Sequence, residues 1–283
     1  MFCANGSNEV LQTLLLTYGG AGRKALVFEP TYALHSHIAR ITATEVVVGE
    51  RRADFSIDPE DAVALIEREQ PTLTFVCSPN NPTGTVEPAA TIGAILAATE
   101  GIVVVDEAYG EFAPRSALEF VRDDGRLVVV RTYSKVWSMA ALRLGYAVAP
   151  AWIVEELDKV VLPYHLDVAT QLAGRLALDL APEMGDRVHR LVDERERVAK
   201  ELSTVAGIEA YPSGANFLLF RVLPESNCDG HVLWERMVEQ GVLVRDFSRW
   251  PRLTDCLRVT IGTPEENDAF LGALRAALQE GAA

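Results

Sequence analysis

The sequence predicts an α/β protein, a mostly parallel sheet flanked by helices with a small α+β portion at its C-terminal end. Two observations predict it. The first half alternates short apolar runs with helical patterns, the order that builds an open sheet covered on both faces. The second half turns mostly helical from Pro150 and then supplies three further strand-like runs with helices between and after them. A length of 283 residues accommodates roughly two domains at about 100–200 residues each. They are drawn here as a large domain over 1–180 and a small one over 181–283.

The predicted strands of the first half are Ala25–Phe28, Glu45–Val48, Leu73–Cys77, Ile102–Val105 and Leu127–Arg131. They are short, rich in Val and Leu, and apolar on both sides, as buried parallel strands are. Helices are expected over Asn8–Tyr18, from Pro59 to about Gln70, and over Ala89–Thr99. Asp58 precedes Pro59 as a cap. Gly19-Gly-Ala-Gly22 reads as a helix stop; it is not a dinucleotide fingerprint, because there the glycines would follow a strand and open a helix. In the second half an amphipathic helix is expected from about Glu183 to Val205, another over His231–Gln240, and strands over Ala215–Val222, Val242–Arg245 and Leu257–Ile261. Thr263-Pro-Glu-Glu266 forms a capping box that starts a last helix running to about Gln279.

Composition narrows the function classes. Forty acidic against 26 basic residues give a net charge of −14, which argues against a nucleic-acid backbone or an anionic membrane as partner. No apolar run approaches the roughly 18 residues of a membrane span. The start lacks a basic n-region, so no secretory signal is expected and the location is read as cytoplasmic. Cys3, Cys77, Cys228 and Cys256 are scattered without metal spacing, and Cys77 and Cys256 read as small buried hydrophobes. His35-Ser-His37 alone is too weak a signal for a metal, so no metal site is expected.

Ligands of open α/β sheets bind beyond the carboxyl ends of the strands, and polar residues cluster there. Leu73–Cys77 runs into Ser-Pro-Asn-Asn81-Pro-Thr-Gly84, Ile102–Val105 into Asp106-Glu-Ala-Tyr109, and Leu127–Arg131 into Thr-Tyr-Ser134-Lys135. Of only four lysines, Lys159 and Lys200 fall on helical faces and Lys24 in a turn. Lys135 alone closes an apolar strand. It suits either a structural role or an imine-forming nucleophile, which needs a lowered amine pKa. Asp106 by itself is equally open. A glycosidase pair of Asp106 with Glu107 is disfavoured, since neighbouring strand residues point to opposite faces. Together Lys135 and Asp106 meet the needs of pyridoxal phosphate, the lysine forming the imine and the carboxylate keeping the pyridine nitrogen protonated. Gly6-Ser7-Asn8 at a helix start offers an anion site for the phosphate.

In chain order the runs NGSNE, PTY, SPNNPTG, DEAY, TYSK, ALRLGY, LPYHL, ANFLLF, VLVRD and LRVTIGT resemble the fold-type-I, pyridoxal-phosphate-dependent aminotransferases. Within these the pattern is similar to the histidinol-phosphate aminotransferase family, over essentially the whole chain. The resemblance implies a homodimer acting on a small-molecule amino donor and a 2-oxo acid. It implies that Lys135 forms the imine and moves the proton at the substrate carbon, and that Asp106 pairs with the pyridine nitrogen. Asn81 and Tyr109 would bond the cofactor's 3′-oxygen, Tyr32 would stack on its ring, and Gly6, Ser7, Asn8, Ser134 and Arg143 would hold its phosphate. Tyr32 also reads as a plain rim aromatic. Arg258 would grip the substrate's main anion with help from Arg245; the alternative for both is a surface edge.

Relatives carry several tens of residues before NGSNE, with an arm and a tyrosine that enters the partner's site. This chain is therefore expected to be N-terminally short, with the strand feeding the phosphate helix clipped. Asn8 stands where many relatives have Asp, and Ala141 where they often have Gly. Three functions follow: an aminotransferase for L-histidinol phosphate and 2-oxoglutarate; a related enzyme, either an aromatic-amino-acid aminotransferase or a threonine-phosphate decarboxylase; or a non-catalytic homologue.

Overall fold

The computed structural model describes residues 1–279. In chain order its first half comprises β1 (Phe2–Asn5), α1 (Ser7–Tyr18), β2 (Lys24–Glu29), α2 (Leu34–Ile41), β3 (Glu45–Glu50), α3 (Pro59–Glu69), β4 (Leu73–Cys77), α4 (Ala89–Ala98), β5 (Ile102–Asp106), β6 (Leu127–Thr132) and β7 (Leu144–Val148). The seven strands form one sheet in the order β1-β7-β6-β5-β4-β2-β3. From β3 to β6 the pairing is parallel, whereas β7 and β1 join antiparallel. The sheet is covered on both faces, and strict alternation divides the cover. Phe75, Val104 and Val128 pack with Val10, Leu11 and Leu14 of α1 and Ile38 of α2. Val76, Val105 and Val129 pack with Ile66 of α3 and Ile92 and Ile95 of α4. Both faces of β4 and β5 are thus buried, which explains their unbroken apolar runs.

The second half holds α5 (Ala151–Asp158), α6 (Val168–Ala177), α7 (Ala181–Leu202), β8 (Ile208–Ala210), β9 (Phe217–Val222), α8 (Gly230–Glu239), β10 (Arg245–Asp246), β11 (Cys256–Thr260) and α9 (Pro264–Gln279). A four-stranded antiparallel sheet, β10-β11-β9-β8, packs against α7, α8 and α9 around Leu218, Phe220, Leu257, Leu233 and Phe270. No described helix is long and apolar enough to cross a membrane.

Local signals set many boundaries. The Asp58 carboxylate accepts the Glu60 N–H at 2.9 Å and starts α3. Thr263 and Glu266 bond reciprocally at 2.8 and 3.3 Å to start α9. Other elements depart from expectation. Lys24 opens β2, opposite Glu45, and pairs with Glu69 at 2.7 Å. Val242 and Val244 form no strand, because their backbone groups bond to α8. The Val242 N–H donates to Met237 O at 3.0 Å, and the Trp234 indole to Val244 O at 2.9 Å. The strand that feeds α1, read as clipped, is present as the four residues of β1. Its partner β7, together with α2 and β8, lies outside the sequence expectations. A glycine weakens the strand signal of β7; a Cβ on Gly145 would stand 2.2 Å from the Ser7 nitrogen, so only glycine lets α1 begin there.

Candidate active site

The sheet order changes direction between β2 and β4, the position where open α/β sheets form a crevice at their carboxyl ends. The loops after β2, β4, β5 and β6 meet there, as does the start of α1. A cavity of about 140 Å³ is lined by Ser7, Asn8, Tyr32, Asn81, Asp106, Tyr109, Ser134, Lys135 and Arg143. Gly6, at φ 77°, turns β1 into α1. A Cβ there would lie 2.4 Å from Arg143 Nη2, so the guanidinium rests directly on the backbone of the turn. The first N–H groups of a helix have no partner within it and favour an anion. Beside them, Thr132 donates to Ser134 Oγ at 3.0 Å and steadies that hydroxyl.

At the floor Asp106 is 2% exposed. Its Oδ1 accepts the Ala108 N–H at 3.1 Å, and its Oδ2 lies 2.9 Å from His35 Nε2. The sequence alone gives His35 no role. It is wholly buried, its ring is stacked on Phe75 at 5.1 Å, and its Nδ1 has no partner. The signal that could have found it is spacing: Tyr32 and His35 are three apart as α2 begins, and their rings meet edge-on at 5.5 Å. Tyr32 donates to Asn8 Oδ1 at 3.1 Å. Burial pushes its phenol up, with the Asn8 bond opposing.

Lys135 reaches out from the turn after β6, its Nζ 4.9 Å from the centroid of the Tyr109 ring. Tyr109 is buried edge-on against Phe217 at 5.0 Å. Asn81 is presented by a tightly tied loop. The neighbouring Asn80 donates to Pro30 O at 3.0 Å and to Thr83 Oγ1 at 2.8 Å, and accepts from Thr31 Oγ1 at 2.8 Å. Gly84 closes the loop at φ 81°, where a Cβ would overlap Ser213 at 2.3 Å.

Tyr32 and Asn81 also line a second, larger cavity of about 550 Å³, together with Arg40, Arg245, Trp250 and Arg258. Arg245 and Arg258 stand directly opposite each other on β10 and β11. Arg258 Nη1 donates to Asn81 Oδ1, and its guanidinium stacks over Phe217 at 4.6 Å. Its Nε is buried without a partner. Burial, with Arg245 adding, lowers its pKa, and Tyr109 opposes. Arg245 is more exposed and lies over Phe247 at 5.7 Å. All twelve sequence-predicted site residues therefore fall in these two adjoining cavities or, for Gly6, in the turn beneath the first.

The donor set fits pyridoxal 5′-phosphate. Helix-start amides, two hydroxyls and Arg143 suit its phosphate, the half-satisfied Asp106 its ring nitrogen, and Asn81, Tyr109 and Lys135 its reactive edge.

Fold and site together define a fold-type-I aminotransferase. The sequence matches the family Aminotransferase class I and II over residues 1–274, and the chain belongs to that family. It is an enzyme of the pyridoxal-phosphate-dependent kind, working between an amino donor and a 2-oxo acid. More narrowly, it is 45% identical over 281 residues to the histidinol-phosphate aminotransferase of Frankia casuarinae, covering 97% of this chain and 68% of that one. The corresponding protein of Nocardia farcinica is 47% identical over 277 residues, covering 97% and 70%. The structure of histidinol-phosphate aminotransferase from Sinorhizobium meliloti in complex with pyridoxal-5′-phosphate superposes with a TM-score of 0.88. It shares 23% identity and covers 99% of this chain and 77% of that one.

Proposed function

We propose that the protein transfers the amino group of L-histidinol phosphate to 2-oxoglutarate, giving imidazole acetol phosphate and L-glutamate, as a step of histidine biosynthesis. The observation that carries this reading is the pairing of two arginines, Arg245 and Arg258, in the cavity next to the Lys135–Asp106 site. A transaminase must admit two different anionic substrates in turn, and two guanidinium groups can grip a pair of carboxylates or one phosphate. Arg258 has an unused buried N–H to offer.

When bound, pyridoxal phosphate supplies an electron sink that makes the hydrogen on the amino-bearing carbon acidic. The chain's own residues do the rest. Gly6, Ser7, Asn8, Ser134 and Arg143 bind the phosphate, and Tyr32 covers the ring. Asp106, held by His35, keeps a proton at the ring nitrogen. Asn81 and Tyr109 donate to the 3′-oxygen. Lys135 Nζ would hold the cofactor and, as a free amine, would take and return the proton at the substrate carbon.

The active form is proposed to be a homodimer in the cytoplasm, each subunit divided into a cofactor-binding part over 1–180 and a smaller part over 181–283. Val168, Leu172 and Leu176 form an exposed stripe at four-residue spacing on α6, and Leu162 and Tyr164 are exposed in the segment that precedes it. An apolar stripe of that extent suits burial against a second copy.

The test is a titration with pyridoxal phosphate followed by single-turnover reactions with histidinol phosphate, glutamate and phenylalanine. The visible band of bound cofactor should appear and be consumed by the first two faster than by phenylalanine. Faster turnover of phenylalanine would transfer the protein to an aromatic-amino-acid role, and absence of the band would reject the catalytic reading.

A further inference from the structure

Behind the site, on the face of the sheet covered by α3 and α4, a second carboxylate is held far more firmly than Asp106. Glu107 is 2% exposed. Its Oε1 accepts from the Ala117 N–H at 2.5 Å and from Ser116 Oγ at 3.1 Å. Its Oε2 accepts from Ser116 Oγ at 2.8 Å and from Arg131 Nε and Nη2 at 3.1 and 2.8 Å. Arg131 Nη2 also donates to Ser116 Oγ at 2.9 Å. Gly110 approaches so closely that a Cβ there would lie 2.8 Å from Glu107 Cβ. Glu111 and Tyr146 are the other titratable groups against Arg131.

The location of this cluster gives it a meaning beyond stability. Glu107 directly follows Asp106 at the end of β5, and Arg131 directly precedes Thr132 at the end of β6, three residues before Ser134. The same carboxylate ties down the 107–117 turn that carries Tyr109. One ion pair therefore spans the two strand ends that present Tyr109 and Lys135, and does so from the side away from substrate. We infer that Glu107 and Arg131 are positioning residues that fix Tyr109 relative to Lys135, and thereby set the proton affinity of the lysine-anchored cofactor. This rests on the pyridoxal-phosphate reading above. Its physical basis is that a catalytic pair misplaced by about 1 Å loses on the order of a hundredfold in rate.

The experiment compares holoenzymes of wild type, Glu107→Gln, Arg131→Lys and Ser116→Ala, with Ile66→Val as a control that weakens the core on the same sheet face. The readouts are the pH midpoint of the visible band of bound cofactor, kcat, KM and the melting temperature. Glu107→Gln should move the midpoint by about half a pH unit or more and lower kcat about tenfold, with KM within about twofold. Arg131→Lys keeps the charge but loses the fork, and should act in the same direction more weakly. Ile66→Val should lower the melting temperature and leave the midpoint in place. Midpoints and kcat unchanged in Glu107→Gln and Arg131→Lys would reduce the cluster to a purely structural role. If those two variants do not fold, Ser116→Ala decides: a midpoint shift of the same sign supports positioning, and an unmoved one overturns it. A wild type without the visible band would instead reject the cofactor reading itself.

Discussion

Asp106 and Glu107 are neighbours, equally buried, on opposite faces of one strand end, yet their surroundings differ in completeness. Asp106 has one backbone amide and one ring nitrogen; Glu107 takes five hydrogen bonds from three residues. Buried Arg51 and half-buried Arg258 differ in the same way. Arg51 donates to Phe28 O and Phe55 O and pairs with Glu87, both side chains fully enclosed. Arg258 makes one hydrogen bond and leaves its Nε without a partner. Glu107 and Arg51, on the far side of the sheet, are satisfied by the chain itself, while Asp106 and Arg258, in the cleft, hold bonding capacity in reserve. An unmet buried polar group destabilises a fold by about 1–3 kcal/mol, a cost that is offset in the cleft when a ligand completes the bonding.

That contrast can be broken by mutation, and the largest effect belongs to the cleft. Lys135→Ala should abolish the visible band of bound cofactor and reduce transamination by at least roughly 10²–10⁴-fold, the range for loss of a positioned acid–base group. Steady-state assay and absorbance would check it; a retained band would remove Lys135 from the site. Arg258→Ala should lower kcat/KM for both amino donors by about 30- to several-thousand-fold, equivalent to about 2–5 kcal/mol for a charge-paired contact, with the band unchanged. Equal kinetics would exclude it from substrate binding.

At Arg51, on the far side and away from the strand ends that carry Tyr109 and Lys135, the effect should move from rate to stability. Arg51→Ala leaves Glu87 buried and unpaired, and should lower unfolding free energy by about 3–5 kcal/mol in urea titrations, with little change in cofactor affinity. The smallest expected effect lies at the rim, where Glu50 pairs with Arg252 of the 247–253 loop. The Arg252 hydrogen bond holds the Glu50 carboxyl below its usual range. Its contribution is therefore present above the unfolded carboxyl pKa and lost as pH falls through the folded one. Wild type and Glu50→Gln should differ slightly in urea midpoint at neutral pH and converge in acid. A gap that widens in acid would reverse the assignment.

Much of this was legible in the sequence where the signal is local. Asp58 before Pro59, the box at Thr263 and the apolar runs of β4 and β5 each carry their instruction within a few residues. The reactive loops were legible for the same reason, since each follows its strand directly. What was not legible depends on distant partners. Val242–Val244 has a strand's composition, but its polar backbone is claimed by α8. The β7 strand is obscured by a glycine whose reason is α1, more than a hundred residues away in sequence. His35 gave only a weak motif, and its importance comes from Asp106, 71 residues on.

The loop joining β3 to α3 carries Phe55 away from the large sheet into a cluster otherwise made only by the small half: Tyr211, Leu219, Phe247, Leu253 and Cys256. That ring acts as a peg between the halves. A swing of the small half that opened the cleft would have to draw the peg out of its socket. Exposing that one buried phenylalanine side chain costs about 1.5–3 kcal/mol, so the peg helps hold the small half over the cleft. Phe247 and Leu253, at the two ends of the 247–253 rim loop, are walls of that same socket, so the peg restrains the rim loop together with the half that carries it.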